Sequence, residues 1–143
     1  MKNHRSDFPI FTEYPDLVYL DSGATTHKPA SVIDAISEFY KQSYGTVHRG
    51  IYGLSVTATN QYNTARQSMA NYINAPSEKN IIFTRGTTDA INLAAFGFVK
   101  QQLSEGDHIL ITEIEHHANF VPWQQLAQSN GLEISYAPIE DDG

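Results

Sequence analysis

Apolar positions recur at helical spacing through the first half of the chain. After Pro29, a residue suited to a helix's first turn, Val32, Ile33, Ile36, Phe39 and Tyr40 keep the 3.6-residue period. A second helix is predicted over residues 55–74, with Ala58, Tyr62, Ala65, Met69 and Tyr72 as its apolar row and Ala75-Pro76 as its stop. Between the two helices, GTVHRGIYG (45–53) reads as a glycine-punctuated loop carrying His48 and Arg49. Upstream, residues 17–20 read as a short strand and DSGATTHKP (21–29) as a polar loop. Residues 1–16 read as an arm broken by Pro9 and Pro15.

From residue 80 onward short apolar runs replace that period. NIIFT (80–84), HILIT (108–112) and LEISYAPI (132–139) read as strands. A turn and a helix, RGTTDAINLAAFGFVKQQL, fill the first interval and stop near Gly106. The second interval holds the loop EIEHHAN and a helix over 120–129 closed by Asn130-Gly131. The last three residues, DDG, read as a turn. The order β-α-β-α-β predicts an α/β fold with a predominantly parallel sheet flanked by helices. Right-handed crossovers put both loops that leave the strand C-termini on one edge, where ligands of open α/β sheets bind. Gly86-Thr87-Thr88 and His116-His117 are therefore candidates for a single site.

Composition narrows the function classes. The length of 143 residues suits one domain, and 41% hydrophobic residues can build a core. Nine Lys and Arg against sixteen Asp and Glu give a net charge of −7 with no basic stripe, which argues against nucleic-acid binding. No apolar run reaches membrane-span length, and the N-terminus lacks a signal-like stretch. A cytoplasmic protein is the expectation. The absence of cysteine excludes disulfides, zinc–thiolate sites and a cysteine nucleophile within these residues.

The two loops differ in what they offer. Gly86-Thr87-Thr88 stands where a strand becomes a helix, and a helix N-terminus presents unpaired N–H groups and partial positive charge. Glycine admits a ligand close to the backbone and threonine adds hydroxyl donors, the outline of a phosphate cradle. Neither a Walker loop nor GxGxxG is present. The plainer reading makes Thr87 or Thr88 a helix cap with Asp89 complementing the dipole, and taken alone it is the stronger one. Glu115-His116-His117-Ala118-Asn119 admits three readings. A metal site is disfavoured, because adjacent histidines in an extended segment point to opposite sides and no HxH or HxxxH spacing occurs. A structural reading makes His117 a hydrogen-bonded filler and Asn119 the N-cap of the next helix. The third places an imidazole over a ligand held by the Gly-Thr-Thr loop, where it can stack on an aromatic ring and move protons.

Four motifs then carry a resemblance: YLDSGATTHKP, VHRGIYGLS, RGTTDAINLAA and EHHANFVPW, in order and with matching spacing. From Tyr19 onward the chain resembles the N-terminal third of a cysteine desulfurase of the SufS/CsdA branch. Those are pyridoxal 5'-phosphate (PLP) enzymes of aminotransferase class V and fold type I; the HHANFVPW ending favours that branch over IscS/NifS. The resemblance implies an N-terminal arm (1–20), followed by the N-terminal part of a fold type I PLP-dependent transferase large domain (21–143). It implies that Gly86, Thr87 and Thr88 hold the cofactor phosphate, and that His116 stacks on the pyridine ring and exchanges protons. His48 lies near the substrate, Arg49 near a homodimer interface, and Gly23 and Ala24 in the loop that meets the substrate carboxylate. Gly23 stands where relatives more often have alanine, and Asp89 where they usually have glutamate.

The implied reaction converts L-cysteine to L-alanine and passes sulfur to an enzyme persulfide, for iron–sulfur cluster assembly through the SUF system. The implied acceptor is a protein of the SufE or SufU kind. PLP chemistry also needs a lysine and an acidic partner for the pyridine nitrogen. None of Lys2, Lys28, Lys41, Lys79 or Lys100 occupies a suitable strand-end loop, and the family's persulfide cysteine has no counterpart here. The expectation is a portion of such an enzyme, inactive alone. The alternatives are a selenocysteine lyase acting on L-selenocysteine, another class V PLP enzyme, or a truncated non-catalytic module.

Overall fold

Residues 4–140 are described by the structure, a computed structural model; the DDG turn expected at 141–143 lies outside them. The chain divides into two compact units, Met1–Ile81 and Ile82–Gly143.

In the first unit the arm folds on itself. A 3-10 turn (Arg5–Asp7) leads to α1 (Ile10–Glu13). The Arg5 guanidinium lies 4.0 Å from the centre of the Phe11 ring and donates to the Pro15 carbonyl (2.7 Å) and the Leu17 carbonyl (2.9 Å). Residues 17–20 are not the expected strand: Leu17 spends its carbonyl on Arg5, and no strand pairs with this segment among the described residues. Pro29 is the residue before α2 (Ala30–Glu38) and its carbonyl accepts from Val32 and Ile33; a wide-turn segment, Phe39–Ser43, continues the helix. The apolar stripe predicted here has the right period, yet Val32, Ile33, Ile36 and Tyr40 remain exposed.

The long helix α3 (Gly53–Tyr72) carries the 45–53 loop on polar pins. Ser55, completely buried, donates to the Thr46 carbonyl. Thr59 Oγ1 donates to the Ser55 carbonyl (2.7 Å) and accepts from the His48 N–H (2.9 Å). The loop approaches so closely that a Cβ on Gly50 would lie 2.5 Å from that of Ser55. The buried positions of α3 are Ser55, Ala58 and Ala70, small residues that permit this approach. The predicted row is thus right only in part, since Met69 and Tyr72 face outward.

The segment 80–84 corrects a further expectation. Ser77 caps a 3-10 turn (Glu78–Asn80) by accepting from the Lys79 N–H at 3.0 Å. The Ile81 carbonyl then accepts from Arg66 Nε at 3.1 Å in place of a neighbouring strand. Ile82 and Phe83 are exposed, and no ladder forms here among the described residues.

In the second unit the last β-α-β of the expected β-α-β-α-β order forms. β1 (His108–Thr112) and β2 (Glu133–Ala137) pair in parallel, with His108 opposite Glu133 and Thr112 opposite Ala137. Before them, α4 (Thr87–Asn92) continues through wide turns (Leu93–Phe98) and a 3-10 turn (Val99–Gln101). Between them come a 3-10 turn (His117–Asn119) and α5 (Val121–Asn130). As predicted, Gly131 closes α5 in the left-handed region (φ 65°), donating to the Ala127 carbonyl. Only one face of the strands is covered: Ile111 is buried, whereas Leu110 is 70% exposed. Leu126 of α5 is fully buried and anchors the crossover. Among the described residues no helix is long and apolar enough to cross a membrane.

Leu126→Ala should therefore cost about 2–5 kcal/mol, the range for emptying a buried leucine site, read as a lower denaturant midpoint. An unchanged midpoint would show that α5 is not anchored through this side chain.

Candidate functional site

The second unit brings the two predicted loops together. α4 packs against the turn His117–Asn119, and a hollow of about 390 Å³ opens between them. Thr88 and Asn92 line one side, His116 and His117 another, and Pro122 and Gln125 its floor. A second hollow, about 440 Å³, adjoins the start of α4 and is lined by Arg85, Gly86, Thr88, Asp89 and Asn92. Thr88 and Asn92 belong to both. Thr87 lines neither.

The start of α4 is not capped as the plainer reading expected. Gly86 is the N-cap residue in extended backbone, and no side chain caps the helix. The first helical bond is Ala90 N–H to the Gly86 carbonyl (3.0 Å), so the N–H groups ahead of Ala90 have no intrahelical acceptor. Asp89 turns back to accept from the Arg85 N–H at 3.2 Å, which is how this shorter acid is used. A Cβ added at Gly86 would meet nothing within 4 Å, so the approach to these N–H groups is open.

The histidine loop also departs from expectation. His117 begins a 3-10 turn and is not extended, so the two adjacent rings do not diverge. Their centroids lie 6.1 Å apart and both line the hollow. His116 precedes the turn, and its Nδ1 accepts from the Ala118 N–H at 3.1 Å. Asn119 is not the N-cap of α5; Phe120 is, without a side-chain cap bond. Asn119 bridges two side chains instead. Its Nδ2 donates to Glu115 Oε2 (2.8 Å) and its Oδ1 accepts from Trp123 Nε1 (2.9 Å). Thr112, at the end of β1, donates to the other oxygen, Glu115 Oε1 (2.8 Å). These bonds, from Asn119 first and Thr112 second, hold the Glu115 carboxyl below the usual carboxylate range. The roles of Glu115, Asn92 and Trp123 were not read from the sequence. The available signal was four-residue spacing, in Glu115–Asn119–Trp123 and in Thr88–Asn92, where Asn92 Nδ2 donates to the Thr88 carbonyl (2.8 Å).

The remaining candidates belong to the first unit. Gly23 and Ala24 lie in an exposed turn closed by Ala24 and Thr25 N–H groups on the Asp21 carbonyl (3.2 and 3.0 Å). A Cβ on Gly23 would meet nothing within 4 Å, so alanine would fit there. His48 adopts the left-handed region (φ 71°), and its ring meets the Tyr62 ring edge-on at 5.4 Å. Arg49 is exposed. Among the described residues no three metal-ligating side chains gather.

The second unit thus sets an open, uncapped helix N-terminus beside an imidazole, next to a parallel β-α-β core. The Aminotransferase class-V family matches over residues 18–143, and the chain belongs to that family. It is 47% identical over 142 residues to a cysteine desulfurase of Pectobacterium atrosepticum, covering 97% of this chain and 35% of that protein. The apo structure of a cysteine desulfurase from Thermococcus onnurineus NA1 superposes with a TM-score of 0.88 at 36% identity, over 97% of this chain and 34% of the other. The cysteine desulfurase CsdA of Escherichia coli, in its S-sulfonic acid form, gives 0.80 at 39% identity, over 99% and 36%. The chain thus has the fold of the matching part of a fold type I transferase and spans about a third of the length of these relatives.

The Glu115 bonds make stability depend on pH. A carboxyl held low in the folded state binds protons more readily when unfolded. Its contribution is therefore complete above the ordinary carboxylate range and is lost as pH falls through the lower folded value. Urea midpoints should fall on acidification in that window, and fall less in Glu115→Gln. Parallel losses in the two proteins would show that Glu115 is not the responsible group.

Proposed function

We propose that this chain supplies the phosphate-binding and ring-stacking part of a PLP-dependent cysteine desulfurase. The observation that carries the reading is that Thr88 and His116, far apart in sequence, line one hollow beside an uncapped helix start. The residues present fit the group: Gly86 leaves open space, and Gly86, Thr87 and Thr88 offer N–H groups that no intrahelical acceptor takes. These N–H groups and the Thr88 hydroxyl hold the phosphate. His116 stacks on the ring and moves a proton through Nε2, since Nδ1 is occupied. When bound, PLP supplies the electron sink for chemistry at the amino acid's α-carbon.

Further assignments rest on the family pattern. Gly23 and Ala24 meet the substrate carboxylate, His48 lies near the substrate, and Arg49 near a homodimer interface. Residues 1–20 serve as an arm, and 21–143 as the opening part of the cofactor-binding domain. The substrate is L-cysteine and the products L-alanine and a persulfide, destined for iron–sulfur cluster assembly of the SUF kind through an acceptor such as SufE or SufU in the cytoplasm. A persulfide needs a thiol, and the 143 residues contain no cysteine. Sulfur acceptance therefore falls to a thiol that this chain does not carry.

Two outcomes test the reading. Thr88→Ala should weaken PLP binding about ten- to a hundredfold by equilibrium dialysis, the loss of one hydroxyl donor to a dianion. Unchanged affinity would return Thr88 to a purely structural role. A chimera in which this chain replaces the matching third of the Pectobacterium enzyme should convert L-cysteine to alanine. His116→Ala in it should keep PLP and lose most turnover, with His117→Ala milder. A chimera that binds PLP without turnover would favour a non-catalytic module.

A further inference from the structure

The side chain of Asn119 is held at both ends, and the polarity of its neighbours fixes which way it points. An ionised carboxylate only accepts and an indole N–H only donates, so the amide must give Nδ2 to Glu115 and Oδ1 to Trp123. A reversed amide would set N–H against N–H and oxygen against oxygen. Glu115 is fixed in turn by Thr112 at the end of β1, and Trp123 stands on α5. Strand end, turn and helix are thereby joined through one asparagine, with bonds reaching four residues back and four forward. The turn so held (His117–Asn119) is closed by the Asn119 N–H on the His116 carbonyl at 2.7 Å, and it presents the Ala118 N–H to His116 Nδ1 at 3.1 Å. A ring nitrogen that accepts a backbone N–H carries no proton, which leaves the proton of the neutral ring on Nε2.

We infer that Asn119 is a positioning residue: clamped between Glu115 and Trp123, it holds the Ala118 N–H against Nδ1 and so commits His116 to the Nε2–H tautomer. This deepens the functional reading, in which His116 moves a proton, but the tautomer exists with or without a cofactor. Neutral His116 thus offers a donor at Nε2 and no acceptor there. To accept a proton at its remaining nitrogen the ring must first leave Ala118. The clamp acts through backbone geometry, and none of its three hydrogen bonds goes to a group assigned to the phosphate.

The test reads the tautomer directly. Nitrogen-15 spectra of the imidazoles, recorded in mildly alkaline solution, distinguish protonated from bare ring nitrogens. At His116 the ratio of Nε2–H to Nδ1–H should exceed that of the urea-unfolded chain by about fivefold, the factor supplied by one net hydrogen bond. Asn119→Ala should return the ratio to the unfolded value and remove hydrogen-exchange protection from the Ala118 amide, with the circular dichroism of the fold retained. Should Asn119→Ala unfold, Trp123→Phe, which keeps an aromatic ring and deletes the indole donor, decides by the same ratio. A folded Asn119→Ala or Trp123→Phe that keeps the fivefold preference overturns the inference, as does a parent protein without it. PLP titration of the same samples reports separately on the functional reading, so loss of cofactor binding with the tautomer preference intact leaves this inference standing.

Discussion

Parallel pairing of β1 with β2 is the constraint on which the rest of the second unit depends. Two parallel neighbours cannot be joined by a tight turn, so the chain must leave β1, cross one face and return. Here that return is the 113–120 loop and α5, closed by the left-handed Gly131 and anchored by Leu126. The crossover fixes where the loop begins, at Thr112, and the Thr112–Glu115 hydrogen bond carries that position into the histidine turn. Packing of α4 against the same turn then sets Thr88 and His116 around one hollow. Packing of α4 on the turn does this, since residues 80–84, ahead of the Gly86 loop, form no strand among the described residues.

The helix start at Gly86 shows a local rule set aside. Threonine beside a helix N-terminus ordinarily caps it, and a cap is worth about 1 kcal/mol. Here neither Thr87 nor Thr88 does so, and Asp89 satisfies the Arg85 N–H outside the helix. The N–H groups that capping would have consumed stay available beside an open glycine. Such departures from local preference gather where a ligand is bound, because the ligand completes the hydrogen bonding.

Periodicity made the helices and the β1–β2 pair legible, since each depends on local pattern and on the handedness of crossovers. It misplaced the segments at 17–20 and 80–84, whose apolar residues suit a strand but whose carbonyls go to Arg5 and Arg66. Strand identity is settled by a partner, and a partner is not written into the segment itself. The facing of α3 was misjudged for a related reason: Ser55 is buried because the 45–53 loop folds onto it, a contact that pattern cannot supply. The meeting of Thr88 with His116 around one hollow was legible from loop position. The clamp at Asn119 was not, because capping and bridging use the same side chain and only the positions of Glu115 and Trp123 decide between them.

The central claim is that two loops distant in sequence form one site for a phosphorylated aromatic ligand. Backbone amide spectra of the isotopically labelled protein, titrated with PLP, test it most directly. The amides of Gly86, Thr87 and Thr88 and those of His116, His117 and Ala118 should shift together along a single saturation curve. Movement of one loop alone, or two loops with separate curves, would contradict it.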